Sequence, residues 1–407
     1  MTLRFLFIVL SPALLLCVSC DSEVNITGKP VIAYADIFRS SDYTMYPESD
    51  ISKVSEEVID SAKTSVTCAP LCLEKGNVIF ALQNKTVVST TYATVNWKFT
   101  TDDIINNSSL IADNEHNLYF ATSKGTVYSV TSAGKLRWKK TLSADSLLPF
   151  NSNIQLLTNG IVVANGSGLV QKFDFNGKAL WQYISYNTPN HTFAADANNN
   201  IIMVFHDKQI GGTDSLVMIG DDGKMKWQEP INQTNVSCNI SWVGGSIYVG
   251  GERMIANKRV PVIHCYNNAG QIVWSRQLPV TPRGISVGLS DSLLYVVGYN
   301  AQIQHEPKSD VIALHKTGGS IVWELWFDYA IDHPVIITEN YLQFLGTQNH
   351  STGFYRMNKN GTLHSLVSLS NSDEVYPLPT IAPNGTIVMG STQHAGVVTL
   401  SGSLLDM

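Results

Sequence analysis

A glycine stands four residues before a tryptophan in five places along this chain. The pairs are Gly134 and Trp138, Gly177 and Trp181, Gly223 and Trp227, Gly270 and Trp274, and Gly319 and Trp323. Each glycine sits in a polar turn, as in SAGKLRW, FNGKALW and DDGKMKW. Aligned on these ends, the chain divides into units of about 41–49 residues, the length of one propeller blade. The second unit reads most clearly: SLIADNEHNLYFATSKGTVYSVTSAGKLRWKKTL holds four short β-branched and aromatic runs divided by turn residues. This is the pattern of a four-stranded antiparallel meander, with strands A to D.

Eight such units use up the chain. The first ends at Trp97 without the glycine, the seventh has Ser365 at the tryptophan position, and the eighth reaches Asp406 there. The expected fold is all-β: an eight-bladed β-propeller of four-stranded antiparallel blades, with seven blades as the alternative. Radial repetition of such sheets hides strand edges. The last unit lacks an outer strand, and KPVIAYADIF (29–38) is the segment expected to supply it. SKVSEEVIDSAKT (52–64) is the one stretch expected to form a turn or two of helix.

A tryptophan on an outermost strand cannot reach the ring axis. Trp97, Trp138, Trp181, Trp227, Trp274 and Trp323 are therefore expected to pack against the neighbouring blade. The glycines are expected to make the C–D turns at positive φ.

The first nineteen residues have the order of a signal peptide: Arg4, an apolar run, then small Ser19 before the cut. Domain boundaries follow as 1–19 signal peptide, 20–30 tether and 31–407 propeller. CVSC-D resembles a bacterial lipobox, which implies lipid on Cys20, although Cys17 stands where leucine is usual. Export with a lipid anchor at the cell envelope is the expected localisation. Frequent Asn-x-Ser/Thr triplets, Asn360 and Asn384 among them, leave open a secreted glycoprotein. The net charge of -6 and the lack of any Lys/Arg run argue against a nucleic-acid partner.

VYSVTSAGKLRW and VIALHKTGGSIVW resemble the PQQ-like, or quinoprotein-type, β-propeller repeat. The resemblance covers nearly all of the mature chain and extends to exported BamB-like lipoproteins. It implies the fold; some members of the class are quinone-dependent dehydrogenases and others hold no cofactor. The enzymes carry adjacent cysteines beside the quinone, whereas Cys17, Cys20, Cys68, Cys72, Cys238 and Cys265 are all separate here. No catalytic residue, cofactor or metal is expected.

Cys68 and Cys72, in CAPLC, are about 13 Å apart on a straight strand, beyond disulfide reach. A turn at Pro70 would let them pair. Cys238 and Cys265 fall on strands A and C of the fifth unit and read as buried apolar residues. Asp196, Asn198 and Asn200 resemble the start of a calcium loop but lack its glycine and glutamate, so a turn is expected. The histidines form no motif. The leading reading is a non-catalytic, membrane-tethered scaffold for envelope proteins; the alternative is a quinone- or sugar-binding enzyme or sensor that uses the axial channel.

Overall fold

The structure is a computed structural model. It describes residues 31–32, 48, 53–60 and 64–401, except 92–93, 106–109, 143–153, 186, 208–212, 232–233, 257, 300–308, 332, 349–350, 371–377 and 392–394. Eight antiparallel sheets form the expected eight blades, each built on the A-B-C-D meander. The blades span 71–100, 111–141, 155–184, 188–230, 234–277, 281–327, 336–370 and 380–401. Among the described residues the only helix is a single 3-10 turn, Glu74–Gly76, and no helix is long and apolar enough to cross a membrane. The signal-peptide and tether segments, 1–30 with Cys20, lie outside the described residues.

Strands B and C are buried between neighbouring blades on both faces, so they read as unbroken apolar runs. Leu118–Ala121 and Thr126–Val130 of blade 2 are buried throughout. Strands D lie at the rim, where the blades diverge and water reaches one side. Ile321–Phe327 of blade 6 accordingly alternates between half-buried and exposed.

The tryptophans join the blades. Trp138 in blade 2 packs on the C–D turn of blade 3 and donates its Nε1–H to the Phe175 carbonyl at 3.0 Å. The same bond links Trp97 to Ser132 (2.8 Å), Trp181 to Asp221 (2.8 Å), Trp227 to Asn268 (2.9 Å), Trp274 to Lys316 (2.8 Å) and Trp323 to Lys359 (3.0 Å). Each indole lies over the glycine of the next blade's turn. A Cβ on Gly223 would stand 2.6 Å from the Trp181 ring, and one on Gly134 would stand 2.6 Å from Trp97. The glycine therefore has two duties: it takes positive φ (77° at Gly223) and leaves a bare surface for the preceding blade's indole.

Closure differs from expectation. The outer strand of blade 8 is Lys53–Asp60, which pairs antiparallel with Ala395–Ser401. The stretch expected to be helical is thus this strand. The segment assigned to it, 29–38, contributes Val31–Ile32, which pairs instead with Ile111–Ala112, the innermost strand of blade 2. KVSEEVID is mostly polar, with Val54, Val58 and Ile59 as its apolar residues, and so resembles the polar rim strand LRWKKT of blade 2.

Two of the eight junctions have no tryptophan. Ser365 takes the position in blade 7, opposite Arg356. In blade 8 the equivalent position, opposite Thr399, is Ser55. Apolar side chains fill the first gap: Phe354, Leu345, Ile387 and Met389 share one cluster. The N-terminal segment adds a clip, because the Glu48 carboxylate accepts hydrogen bonds from the Asn340 backbone N–H (2.7 Å) and Nδ2 (2.8 Å) on blade 7. Burial opposes ionisation of Glu48, but hydrogen bonds from Thr338 and Asn340 and the Arg356 charge outweigh it and hold the carboxyl below its usual range. Blade 8 meets blade 1 through Val66 N–H to the Ser391 carbonyl (2.9 Å) and Thr380 Oγ1 to the Pro70 carbonyl (2.8 Å).

Two outcomes follow. Trp181→Ala removes an interblade indole and should cost about 3 kcal/mol in denaturant unfolding. Gly223→Ala should also destabilise, but the two substitutions together should cost less than their sum, because the clash disappears with the indole. Strict additivity in this double-mutant cycle would contradict the clasp. Removal of residues 53–60 should leave blade 8 with an open edge and lower the midpoint of thermal unfolding by several degrees or cause aggregation, read by calorimetry and light scattering.

Candidate functional site

One group of polar side chains lies at the junction of blades 4 and 5, on the face carrying the B–C and D–A connections. His206 ends strand B of blade 4 (Ile201–His206), and Asp214 immediately precedes strand C (Ser215–Ile219). His206 Nδ1 lies 2.8 Å from Asp214 Oδ2. The same oxygen accepts the Val236 N–H of blade 5 at 2.7 Å, so the carboxylate joins two blades. The Asp214 side chain is buried, and His206 keeps 37% of its side-chain surface exposed.

Beside it, His264 is fully buried on strand C of blade 5. Its Nε2 lies 3.1 Å from Thr234 Oγ1 and its Nδ1 2.7 Å from Ser275 Oγ, which ties strands A, C and D together. Burial first, and the nearby Arg253 charge second, lower its pKa to about 4, so the ring is neutral at pH 7. A neutral imidazole held at both nitrogens is a fixed bridge. The Asp214 carboxylate, bonded to His206 of its own blade and to the Val236 N–H of the next, clamps the two blades together.

A second buried charge sits one junction back. Lys172, on strand C of blade 3, is buried and ion-paired to Asp221 in the C–D turn of blade 4, whose carbonyl receives the Trp181 indole. Asp310 in blade 6 is pushed up to about 6 by burial and then by the adjacent Glu324. Among the described residues no three His, Cys, Asp or Glu side chains are grouped to hold a metal ion.

The sequence-predicted residues are distributed as follows. The six tryptophans form the clasps described above. Cys68 and Cys72 do not pair: both are free and buried. They point to opposite faces of blade 1, since Cys68 packs with Ile105, Leu110 and Phe120 toward blade 2, and Cys72 packs with Ala382 and Val388 toward blade 8. Burial raises both thiols to about 12. Cys238 and Cys265 are also free and buried, in one apolar cluster between blades 5 and 6. The Asp196 carboxylate accepts the N–H groups of Asn198 (3.0 Å) and Asn200 (2.7 Å), which makes it a turn. Asp113 does the same for Glu115 and Asn117 in blade 2. The His206–Asp214 and Thr234–His264–Ser275 groups carry no motif spacing; eight residues separate the first pair and thirty separate Thr234 from His264.

These features define a closed propeller whose blades are pinned by an indole–glycine clasp and whose chemistry-bearing side chains are engaged between blades. The family described as outer membrane protein assembly factor BamB matches residues 83–259, from the first blade into the fifth. The chain is a β-propeller whose repeats are similar to the PQQ-like repeat. BamB from Moraxella catarrhalis superposes with a TM-score of 0.63 at 15% identity, covering 86% of this chain and 100% of that one. Quinohemoprotein alcohol dehydrogenase from Comamonas testosteroni gives 0.70 at 11% identity, with 92% and 80% covered. A europium-containing methanol dehydrogenase gives 0.66 at 10%, with 92% and 97% covered. At these identities the likeness is one of fold. No curated protein matches the sequence.

The buried imidazole sets a pH response. The folded-state pKa of His264 lies below its unfolded value, so its contribution to stability is complete above about pH 6.5 and is lost as pH falls toward about 4. His264→Gln, which keeps a donor and an acceptor, should flatten the fall in unfolding free energy across that window. An unchanged pH profile would mean that the ring is not held neutral.

Proposed function

We propose that this chain is exported, held at a membrane through Cys20, and acts as a non-catalytic scaffold that presents its loop faces to protein partners of the cell envelope. The observation that carries this reading is the place of Val31–Ile32. It adds a strand to the axial edge of blade 2, so the chain's own N-terminal segment takes up channel wall that an axial ligand would need. The likeness to BamB over residues 83–259 supports an interaction role in general. The N-terminal order of Arg4, apolar run and Cys20 supports export with a lipid anchor.

Intact mass of the mature protein from its native source is the test. Acylation at Cys20 with loss of residues 1–19 is the expected result, and Cys20→Ser should move the protein from the membrane to the soluble fraction. A free N-terminus with glycans at Asn-x-Ser/Thr sites would overturn the tether. Cross-linking in cells should then capture envelope proteins. Saturable quinone binding together with dehydrogenase turnover would instead favour the catalytic alternative.

A further inference from the structure

Of the outer strands, Lys53–Asp60 alone stands outside the clasp system among the described contacts. Strands D of blades 1–6 each carry an indole, and the C–D turns of blades 2–7 each receive one. Lys53–Asp60 does neither: Ser55 stands at its own tryptophan position, and blade 7 offers Ser365. No C–D turn ties it down either. In blade 7 strand D follows strand C after a short turn, from Asn358 to Leu363. In blade 8 Lys53 instead pairs with Ser401, from the other end of the sequence.

The inner strands of blade 8 hold the ring by themselves. Ile381, Ile387, Met389 and Leu400, from strands A, B and C, pack with Leu345 and Phe354 of blade 7. Toward blade 1 the hydrogen bonds come from Thr380 in strand A and from Ser391, just after strand B. Three strands therefore close the circle, and the fourth lies on it as a strap.

We propose that this strap is detachable: Glu48 latches it to blade 7, and its release bares the edge of strand Ala395–Ser401 while the ring stays closed. Glu48 lies five residues before the strap, at the end where the missing C–D turn would stand. Its socket is on the face of blade 7 that would have carried the indole. Cross-strand partners share a face, so Gln343, Arg356 and Ser365 form one row beside Leu345 and Phe354, facing blade 8. The Glu48 carboxylate takes the Asn340 N–H and Nδ2 at 2.7 and 2.8 Å, with Thr338 and the charge of buried Arg356 behind them. This latch is half in water, which competes for its hydrogen bonds as it cannot compete for a buried indole. The closing junction is thereby the one where an outer strand can leave without tearing a clasp.

Amide hydrogen exchange of the full chain, read by mass spectrometry, tests the strap. The amides of 53–60 and 395–401 should exchange faster than those of 309–315 and 321–327, the equivalent strands of blade 6. Glu48→Ala should speed exchange in the first pair at least about 10-fold and leave the second pair unchanged. Lys53→Cys with Ser401→Cys, once oxidised, would tie the strap to its neighbour, because antiparallel partners stand within disulfide range. In the Glu48→Ala background this bond should restore slow exchange. Exchange at 53–60 no faster than at 321–327 would overturn the proposal. So would a Glu48→Ala variant with no effect, one that loosens all blades alike, or one whose faster exchange survives the oxidised bond.

Discussion

The contact on which this ring depends is an indole laid on a glycine. A blade is a small sheet with two apolar faces, and neither is stable in water alone. Apolar area would hold neighbours together at many angles, because burial has no direction. The indole adds direction. Its ring must clear the backbone of the next blade's C–D turn, and its N–H must find one particular carbonyl there, as Trp138 finds Phe175. Any side chain on the turn glycine would hold the blades apart, as the 2.5 Å approach of a Cβ at Gly319 to Trp274 shows. Six repetitions fix the angle from one blade to the next, and the ring closes on the eighth.

The polar groups between blades follow the same logic. Asp214 accepts from both sides of its junction, His264 is held at both nitrogens, and Lys172 is paired as it is buried. Each would be costly if left unpartnered. Bound in this way they fix the register of one blade against the next.

Much of this was legible in the sequence. The blade count, the four-strand order and the packing of the tryptophans on a neighbour all follow from one recurring spacing. The second duty of the glycine did not, because its partner is the tryptophan of the preceding unit, about forty residues away. The closing strand was misassigned for a physical reason: 29–38 is the more apolar segment, whereas a rim strand is half in water and reads as KVSEEVID does. The cysteines of CAPLC were close enough in sequence to suggest a bond, but they belong to opposite faces of one blade. The blade 4 and 5 cluster was invisible, since its members come from four strands and one connection with no motif spacing.

The pairing of Lys53–Asp60 with Ala395–Ser401 orders events in time. During synthesis the early strand emerges long before its mate, separated from it by more than three hundred residues. Local meanders can form as each unit appears, but the eighth blade waits for the last strand to arrive. The N-terminal edge is unpaired in the meantime, and its four charged residues, Lys53, Glu56, Glu57 and Asp60, discourage pairing with another chain. Completion of the circle is then the slow step, a non-local contact set by loop closure.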